Sequence, residues 1–470
     1  MSRERFDRYP QAVRLRRSSQ QAVEVEAPRR RTPRLQTPSA PFLLIAGFVT
    51  ASLIGALILS LPFSSADRSW TSPVIALFVA TSAVCVTGLT PVDTSTHWSP
   101  FGQSVILVLV QIGGLGIMTS TTLLFLLFGW RLGIRERLVL SRSLDLGRMG
   151  GVVSLIRRAI LFTFVVEALG FVILTARFLF TESPGTAAWY GLYHSISAFN
   201  NAGFDLFGTS LTQHDDAAVL VTVGALVLMG SIGFIVVQDL VDRWRHGDPL
   251  ALDTRIVLQA TAGIIALCFM LMLALEWNGV LAGENTPGKA LHAAFLAFGS
   301  RTAGFAAVPT SEMSDAAHFT MLAFMFIGGA SGSTAGGIKV GTFAILVLAT
   351  LSTAAGREHV EAGGREIRRA DVDRALTVAL ASVIIVFVAT LVLAQFESLE
   401  FLDIMFEATS AFGTTGLSTG ITPEMSDASL LLVTLVMLVG RLGPLTLALA
   451  LVQRQQVSRR RLAEERVRIG

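Results

Sequence analysis

One short signal returns four times along this chain, always between a half-length apolar stretch and a full-length one. The copies read Cys85-Val86-Thr87-Gly88-Leu89, Asn200-Asn201-Ala202-Gly203-Phe204, Arg301-Thr302-Ala303-Gly304-Phe305 and Gly413-Thr414-Thr415-Gly416-Leu417. Their glycines are separated by 115, 101 and 112 residues. A second signal follows each copy: Gly113/Gly116, Gly230/Gly233, Gly329/Gly332 and Gly440/Gly443, at offsets of 25, 27, 25 and 24 residues from the first glycine. Two signals in register over four copies imply an internal fourfold repeat.

The setting of the repeat is a membrane. Only 15% of the residues are charged, against about 25% in a soluble domain, and 52% are hydrophobic. Long apolar runs at 42–62, 102–128, 155–178, 217–240, 256–275, 317–352, 375–396 and 428–453 are each long enough to span, since a bilayer core needs ~20 helical residues. Four shorter stretches, at 72–84, 188–199, 288–299 and 400–411, cover only ~15–18 Å as helix. They reach halfway and must return. The expected fold is an all-α membrane protein of four parallel helix–pore helix–filter loop–helix repeats around a pseudo-fourfold pore. The repeats fall at 42–128, 155–240, 254–352 and 373–454. Repeats with two full spans each share one orientation, and parallel repeats are related by an axis along the membrane normal.

Charge sets the expected orientation. Arginines cluster between repeats (Arg131, Arg135, Arg137; Arg243, Arg245, Arg255; Arg365, Arg368, Arg369) and in the tails, whereas the alternate links are acidic. By the positive-inside rule the arginine-rich side and both termini are cytoplasmic in a bacterial inner membrane. The basic loops are thus topology signals, not a nucleic-acid footprint. Residues 1–41 carry ten arginines and no apolar run. They read as a disordered basic cytoplasmic tail lying on anionic lipid, with a docking arm for a cytoplasmic partner as the alternative. Residues 455–470 form a second cytoplasmic tail. Cys85 and Cys268 offer no disulfide framework or metal cluster.

Non-helical backbone at membrane depth survives only where protein buries it or water reaches it. Four such loops on one axis can turn carbonyls inward and replace the hydration shell of a cation. The candidate filter is Val86, Thr87, Gly88, Asn201, Ala202, Gly203, Thr302, Ala303, Gly304, Thr414, Thr415 and Gly416. Each short helix ends at its loop, so its partial negative charge faces the cation. Arg301 breaks the neutrality of the set and is expected to point behind its loop to a buried acid such as Glu407.

The last span of the third repeat holds Gly328, Gly329, Ala330, Ser331, Gly332, Ser333, Thr334, Ala335, Gly336, Gly337 and Lys339. Glycine costs about 1 kcal/mol against alanine in a helix, so this helix is expected to break into an intramembrane gate loop over 328–338. A small-residue packing face is the competing reading. Arg441 lies near mid-membrane in the last span. It serves either as a positive barrier in the permeation path or as the partner of a buried acid. Glu167 is expected to satisfy a neighbouring helix, with a proton or sodium relay as the alternative. His194 and His292 fall on short helices, where packing is expected, and the seven histidines show no HExxH spacing.

The segments TSAVCVTGLTPVDT, QIGGLGIMT, ISAFNNAGFDLF, FGSRTAGF, GGASGSTAGGIKVGTF, TSAFGTTGLSTG and GRLGPLTLAL together resemble the Trk/Ktr/HKT superfamily of potassium transporters, and within it the Ktr membrane subunit (KtrB-like), over about residues 40–456. The resemblance implies potassium uptake, often with sodium dependence, by a homodimer with one pore per subunit. It also implies a cytoplasmic nucleotide-binding regulatory ring (KtrA-like) as partner. K+ is then the transported ion and Na+ a second candidate. No organic cofactor is expected on this chain, which lacks a Walker-type loop; the nucleotide would sit on the partner. By the matching motifs, Gly88, Gly203, Gly304 and Gly416 are the filter glycines, 328–337 is the gate loop, and Arg441 is the pore-facing arginine. The alternative is a secondary cation symporter with alternating access, which predicts inverted rather than parallel repeats. An enzyme is not expected.

Overall fold

The computed structural model describes residues 40–116, 152–214 and 216–443. The expectations for the basic tails, for the arginines near 131–137, and for the far ends of the runs at 102–128 and 428–453 lie outside these residues.

Every short apolar stretch is a helix. The first unit comprises α1 (Ala40–Leu59), α2 (Pro73–Cys85), the single turn α3 (Thr94–His97) and α4 (Pro100–Gly114). The second comprises α5 (Val152–Phe178), α6 (Pro184–Phe199), α7 (Ala217–Ile232) and α8 (Phe234–His246). The third holds α9 (Leu252–Leu275), α10 (Thr286–Gly299), α11 (Asp315–Phe326) and α12 (Val340–Ala354). After the small hairpin β1 (Glu361–Ala362) and β2 (Arg365–Glu366) comes the fourth, with α13 (Arg369–Phe396), α14 (Phe401–Gly413) and α15 (Asp427–Leu442).

The starts of these helices are written locally. Pro73, Pro100 and Pro184 sit at the first helical position, where the missing N–H costs nothing. Ser99, Ser183, Asn285, Ser314 and Ser426 each accept a hydrogen bond from a free backbone N–H of the first turn, a cap worth about 1 kcal/mol.

In every unit the end of the first helix also holds the start of the second. Glu276, after α9, accepts from Ser314 N (2.9 Å) and Ser314 Oγ (2.6 Å). Glu397, after α13, accepts from Ser426 N (2.8 Å) and Ser426 Oγ (2.7 Å). Arg177 pairs with Asp216, the cap of α7, at 3.1 Å. In the first unit Ser99 donates to Phe63 O (2.7 Å) and Ser64 O (2.9 Å).

The second spans are not the continuous helices that 102–128, 217–240 and 428–453 suggest. Gly116, Gly233, Gly332 and Gly443, the second member of each glycine pair, all have positive φ (80°, 85°, 74° and 79°). A left-handed residue ends a helix, so α4 and α15 stop just before theirs. α7 turns through 92° into α8 at Gly233. In the third unit the break widens into a loop between α11 and α12. Among the described residues, three unbroken helices are long and apolar enough to cross a membrane, or four counting the bent pair. Their outward faces are apolar: Leu161, Leu169, Phe387 and Leu391 are each about 60% exposed (64%, 59%, 66% and 60%). Such a surface belongs in lipid.

The packing order is cyclic. α4 packs on the short helix α6 of the next unit, α7 on α10, α11 on α14, and α15 back on α2.

Candidate functional site

Each short helix hands its chain to a loop with one recurring conformation. Val86, Asn201, Thr302 and Thr414 have φ of 55°, 60°, 66° and 49°, and the glycine two residues later is positive as well (93°, 69°, 71° and 86°). After α2, α6 and α14 the exit is a Schellman turn: Thr87, Ala202 and Thr415 donate to Ser82 O, Ser197 O and Ser410 O, each at 2.8 Å. In two copies the same serine's hydroxyl accepts from the glycine, Gly88 N→Ser82 Oγ and Gly416 N→Ser410 Oγ, both 3.1 Å. The third loop departs: Ala303 donates to Gly299 O instead (3.3 Å), and Phe298 stands where the others carry that serine.

The four glycines close a ring. A Cβ on Gly88 would lie 2.3 Å from Ala202 O, on Gly203 2.7 Å from Gly304 Cα, on Gly304 2.8 Å from Thr415 O, and on Gly416 2.0 Å from Thr87 O. Each loop therefore leans on the next, and the last leans on the first. The residues of the ring, Val86 to Gly88, Asn201 to Gly203, Thr302 to Gly304 and Thr414 to Gly416, are uncharged, and all are buried except the half-buried Gly416. The first glycine of each later pair explains how the second helices come so near. A Cβ on Gly113, Gly230 or Gly440 would lie 1.9, 1.8 or 1.9 Å from Val84 O, Phe199 O or Phe412 O, in the last turns of the short helices.

The segment 328–339 forms a loop whose neck is closed by backbone bonds. Gly328 N donates to Ile338 O (2.8 Å) and Val340 N to Gly329 O (3.0 Å). Ala330 N and Thr334 N reach Ser231 O (2.9 Å) and Gly230 O (3.3 Å) at the end of α7. The Lys339 ammonium turns back on Ala335 O. Gly328, Gly329, Gly336 and Ala335 are buried in the neck and body of the loop, while Ser331 is exposed and Gly332, Ser333 and Gly337 are half-buried.

Two arginines end on carbonyls rather than on acids. Arg301 is buried and donates to Gly328 O at 3.1 Å. The expected pairing with Glu407 is not made; Glu407 accepts from the Thr422 hydroxyl. The physical reason is that the break after α11 frees a carbonyl close behind the third glycine loop, and an arginine can use it without an anion. Arg441 donates to Thr334 O and to Gly113 O, so one side chain joins the last, third and first units. Lys339 is near enough to repel it electrostatically.

Glu167 on α5 is held by neighbouring helices. It accepts from Gln111 Nε2 (3.2 Å) and Asn200 Nδ2 (2.9 Å), and Asn200 also donates to Gln111 Oε1 (2.9 Å). This trio braces the second glycine loop from behind. His194 is packed: Nδ1 faces Tyr190 O (2.7 Å), Nε2 accepts from Leu206 N (3.3 Å), and its ring stacks on Phe207. Among the described residues no three His, Cys, Asp or Glu side chains form a metal cluster. Sequence reasoning missed the positive φ shared by all four second glycines, although their register was in plain view. It also missed the links of the 328–339 loop to the second glycine loop, for which nothing local in the sequence gives a signal.

Long helices with apolar outer faces, around broken helices that meet in a ring of backbone loops, define a multi-pass membrane protein. The chain belongs to the TrkH cation transport protein family, whose model matches residues 40–459. It is 36% identical over 420 residues to the Ktr system potassium uptake protein B of Bacillus subtilis, covering 88% of this chain and 94% of that protein. It is likewise 36% identical over 416 residues to the potassium/sodium uptake protein NtpJ of Enterococcus hirae, covering 87% and 92%. The crystal structure of the potassium transporter TrkH from Vibrio parahaemolyticus has a similar fold, with a TM-score of 0.68 at 21% identity over 90% of this chain and 87% of that one.

Proposed function

We propose that this chain is the ion-translocating membrane subunit of a bacterial potassium uptake system. The observation that carries the reading is the closed ring of Gly88, Gly203, Gly304 and Gly416, in which each loop occupies the space a side chain on its neighbour would need. In this reading the four units surround a pseudo-fourfold pore. The backbone oxygens of Val86, Thr87, Asn201, Ala202, Thr302, Ala303, Thr414 and Thr415 strip and coordinate K+. The absence of an acid from the ring favours selection by carbonyl dipoles, and the short helices add their C-terminal partial charges.

The loop 328–339 is the gate, and Arg441 bridges it to the first and last units. Its charge stands where ions leave the ring, which makes it both latch and barrier. The arginine-rich links favour a cytoplasmic position for that side and for both termini. There a nucleotide-binding regulatory ring would bias the gate of a homodimer, as system membership of the relatives named Ktr suggests. Sodium enters as competitor or coupling ion, a choice that the potassium/sodium name of the enterococcal relative keeps in view. The ring ties all four units together, which favours a channel-like path over the rocking halves of an alternating-access symporter.

The test is potassium flux into liposomes holding the full chain, with and without a regulatory ring and with sodium as competitor. Selective potassium flux that Gly304→Ser abolishes is the expected result. Flux without selectivity removes potassium as the substrate, and no flux with the ring present overturns the reading.

A further inference from the structure

Thr334 lies outside the four glycine loops, yet it touches one of them directly. Its hydroxyl is 3.2 Å from the Asn201 side-chain amide and 3.4 Å from Phe199 O, at the end of α6. The Asn201 amide is oriented by its surroundings: with nitrogen toward them it meets Val227 O, Phe199 O and Thr334 Oγ1, each at 3.2 Å. Its other amide atom then faces Thr302 Oγ1 at 3.5 Å. A continuous chain of contacts thus runs from Arg441 through Thr334 to Asn201 and on to Thr302. A second contact is steric. A Cβ on Gly336 would lie 2.1 Å from Thr414 Oγ1, so the loop also rests against the fourth glycine loop.

The loop touches two left-handed residues, Asn201 and Thr414, and reaches a third, Thr302, through Asn201. Asn201, Thr302 and Thr414 hold the strained position two residues before each glycine, and such positions persist only while their surroundings enforce them. The fourth, Val86, has its side chain beside Gly113 of α4. When the loop withdraws, the buried Asn201 amide loses a partner, which a buried polar group does not tolerate cheaply. The second glycine loop can then relax, and with it Ala202 O, which sits against Gly88.

We infer that Thr334 is a specificity-determining residue: through Asn201 it couples the position of the gate to the geometry of the glycine ring, so that a gate residue sets ion selectivity as well as flux. The inference rests on the potassium-filter reading above. Asn201 belongs to the ring by position; Thr334 acts through it as a positioning residue.

Proteoliposomes of the full chain, assayed separately for K+ and Na+ uptake, test this by the ratio of the two fluxes. Thr334→Val, which keeps shape and removes the hydroxyl, is expected to shift the ratio about threefold or more, the order set by one hydrogen bond. Thr334→Ser should restore it. Ser333→Ala, whose hydroxyl accepts only from Ala335 N in the same loop, should scale both fluxes by one factor. Asn201→Asp should move the same ratio, and the double variant should show a non-additive effect. A Thr334→Val protein that alters both fluxes equally, or strict additivity with Asn201→Asp, overturns the inference and leaves the filter reading standing. A wild-type protein without potassium selectivity removes the filter reading itself, and the inference with it.

Discussion

Three of the four left-handed residues ahead of the glycines are β-branched: Val86, Thr302 and Thr414. Such a residue in that conformation costs of order 1–3 kcal/mol, and the neighbouring loops supply the compensation. The glycines have less freedom still. Gly416→Ala puts a methyl group 2.0 Å from Thr87 O at a φ of 86°. Potassium flux should fall by about tenfold or more with a lower unfolding temperature, as expected when backbone must move at a strained site; unchanged flux would show that the ring is not the path. Outside the spans, burial pushes the Asp205 carboxyl up from 3.8 to about 6, with Asp93 adding to the rise, although Phe207 N and Gly208 N both donate to it. The folded protein then keeps a proton that the unfolded chain releases. Its contribution to stability is complete below pH 3.8 and is lost as pH rises through about 6. Unfolding temperatures from pH 4 to 7 should fall across that window in the wild type, and the fall should be smaller in Asp205→Asn.

At the scale of the element, the repeated device is a helix that ends where its glycine allows. Gly233 carries the 92° turn into α8 at a φ of 85°, with Ser331 O 3.0 Å from the position of a Cβ. Gly233→Ala should cost about 1–2 kcal/mol, the penalty of the left-handed region for an L-residue, read as a lower thermal midpoint in detergent. The clasps between first and second helices are the complementary device. Glu276 is fully buried and accepts three hydrogen bonds, two from Ser314 and one from Val280 N at 3.1 Å. Glu276→Gln should lower stability by roughly 1–3 kcal/mol, the cost of leaving a buried donor without its acceptor. If the midpoint does not move, the clasp is not a stabilising contact.

For the whole molecule the decisive property is closure. Each second helix packs on the next unit's short helix, and Arg441 bridges three units on one side of the ring. Arg441→Gln keeps much of the side chain's length and some donors but removes the charge. It should raise ion flux several-fold if the charge is a barrier, because a buried positive charge on an ion path repels cations strongly. A fall in stability with unaltered flux per folded protein would make Arg441 a strut alone.

The helical class, the short apolar helices and the break in the third unit's last span follow from local properties of the chain, and these were legible in it. Apolar length decides what can span, and a glycine at a constant offset decides where the helix can turn left-handed. The same glycine register hid one consequence: breaks were expected in the third unit alone, because its small residues are concentrated there. Partnerships could not be read in the same way. Arg301 meets a carbonyl 27 residues away, Thr334 an amide 133 residues away, and Arg441 carbonyls 107 and 328 residues away. No local pattern encodes such pairs, because a freed carbonyl becomes an acceptor only after another segment has broken its helix. Which donor reaches it is then settled by the packing of four units at once.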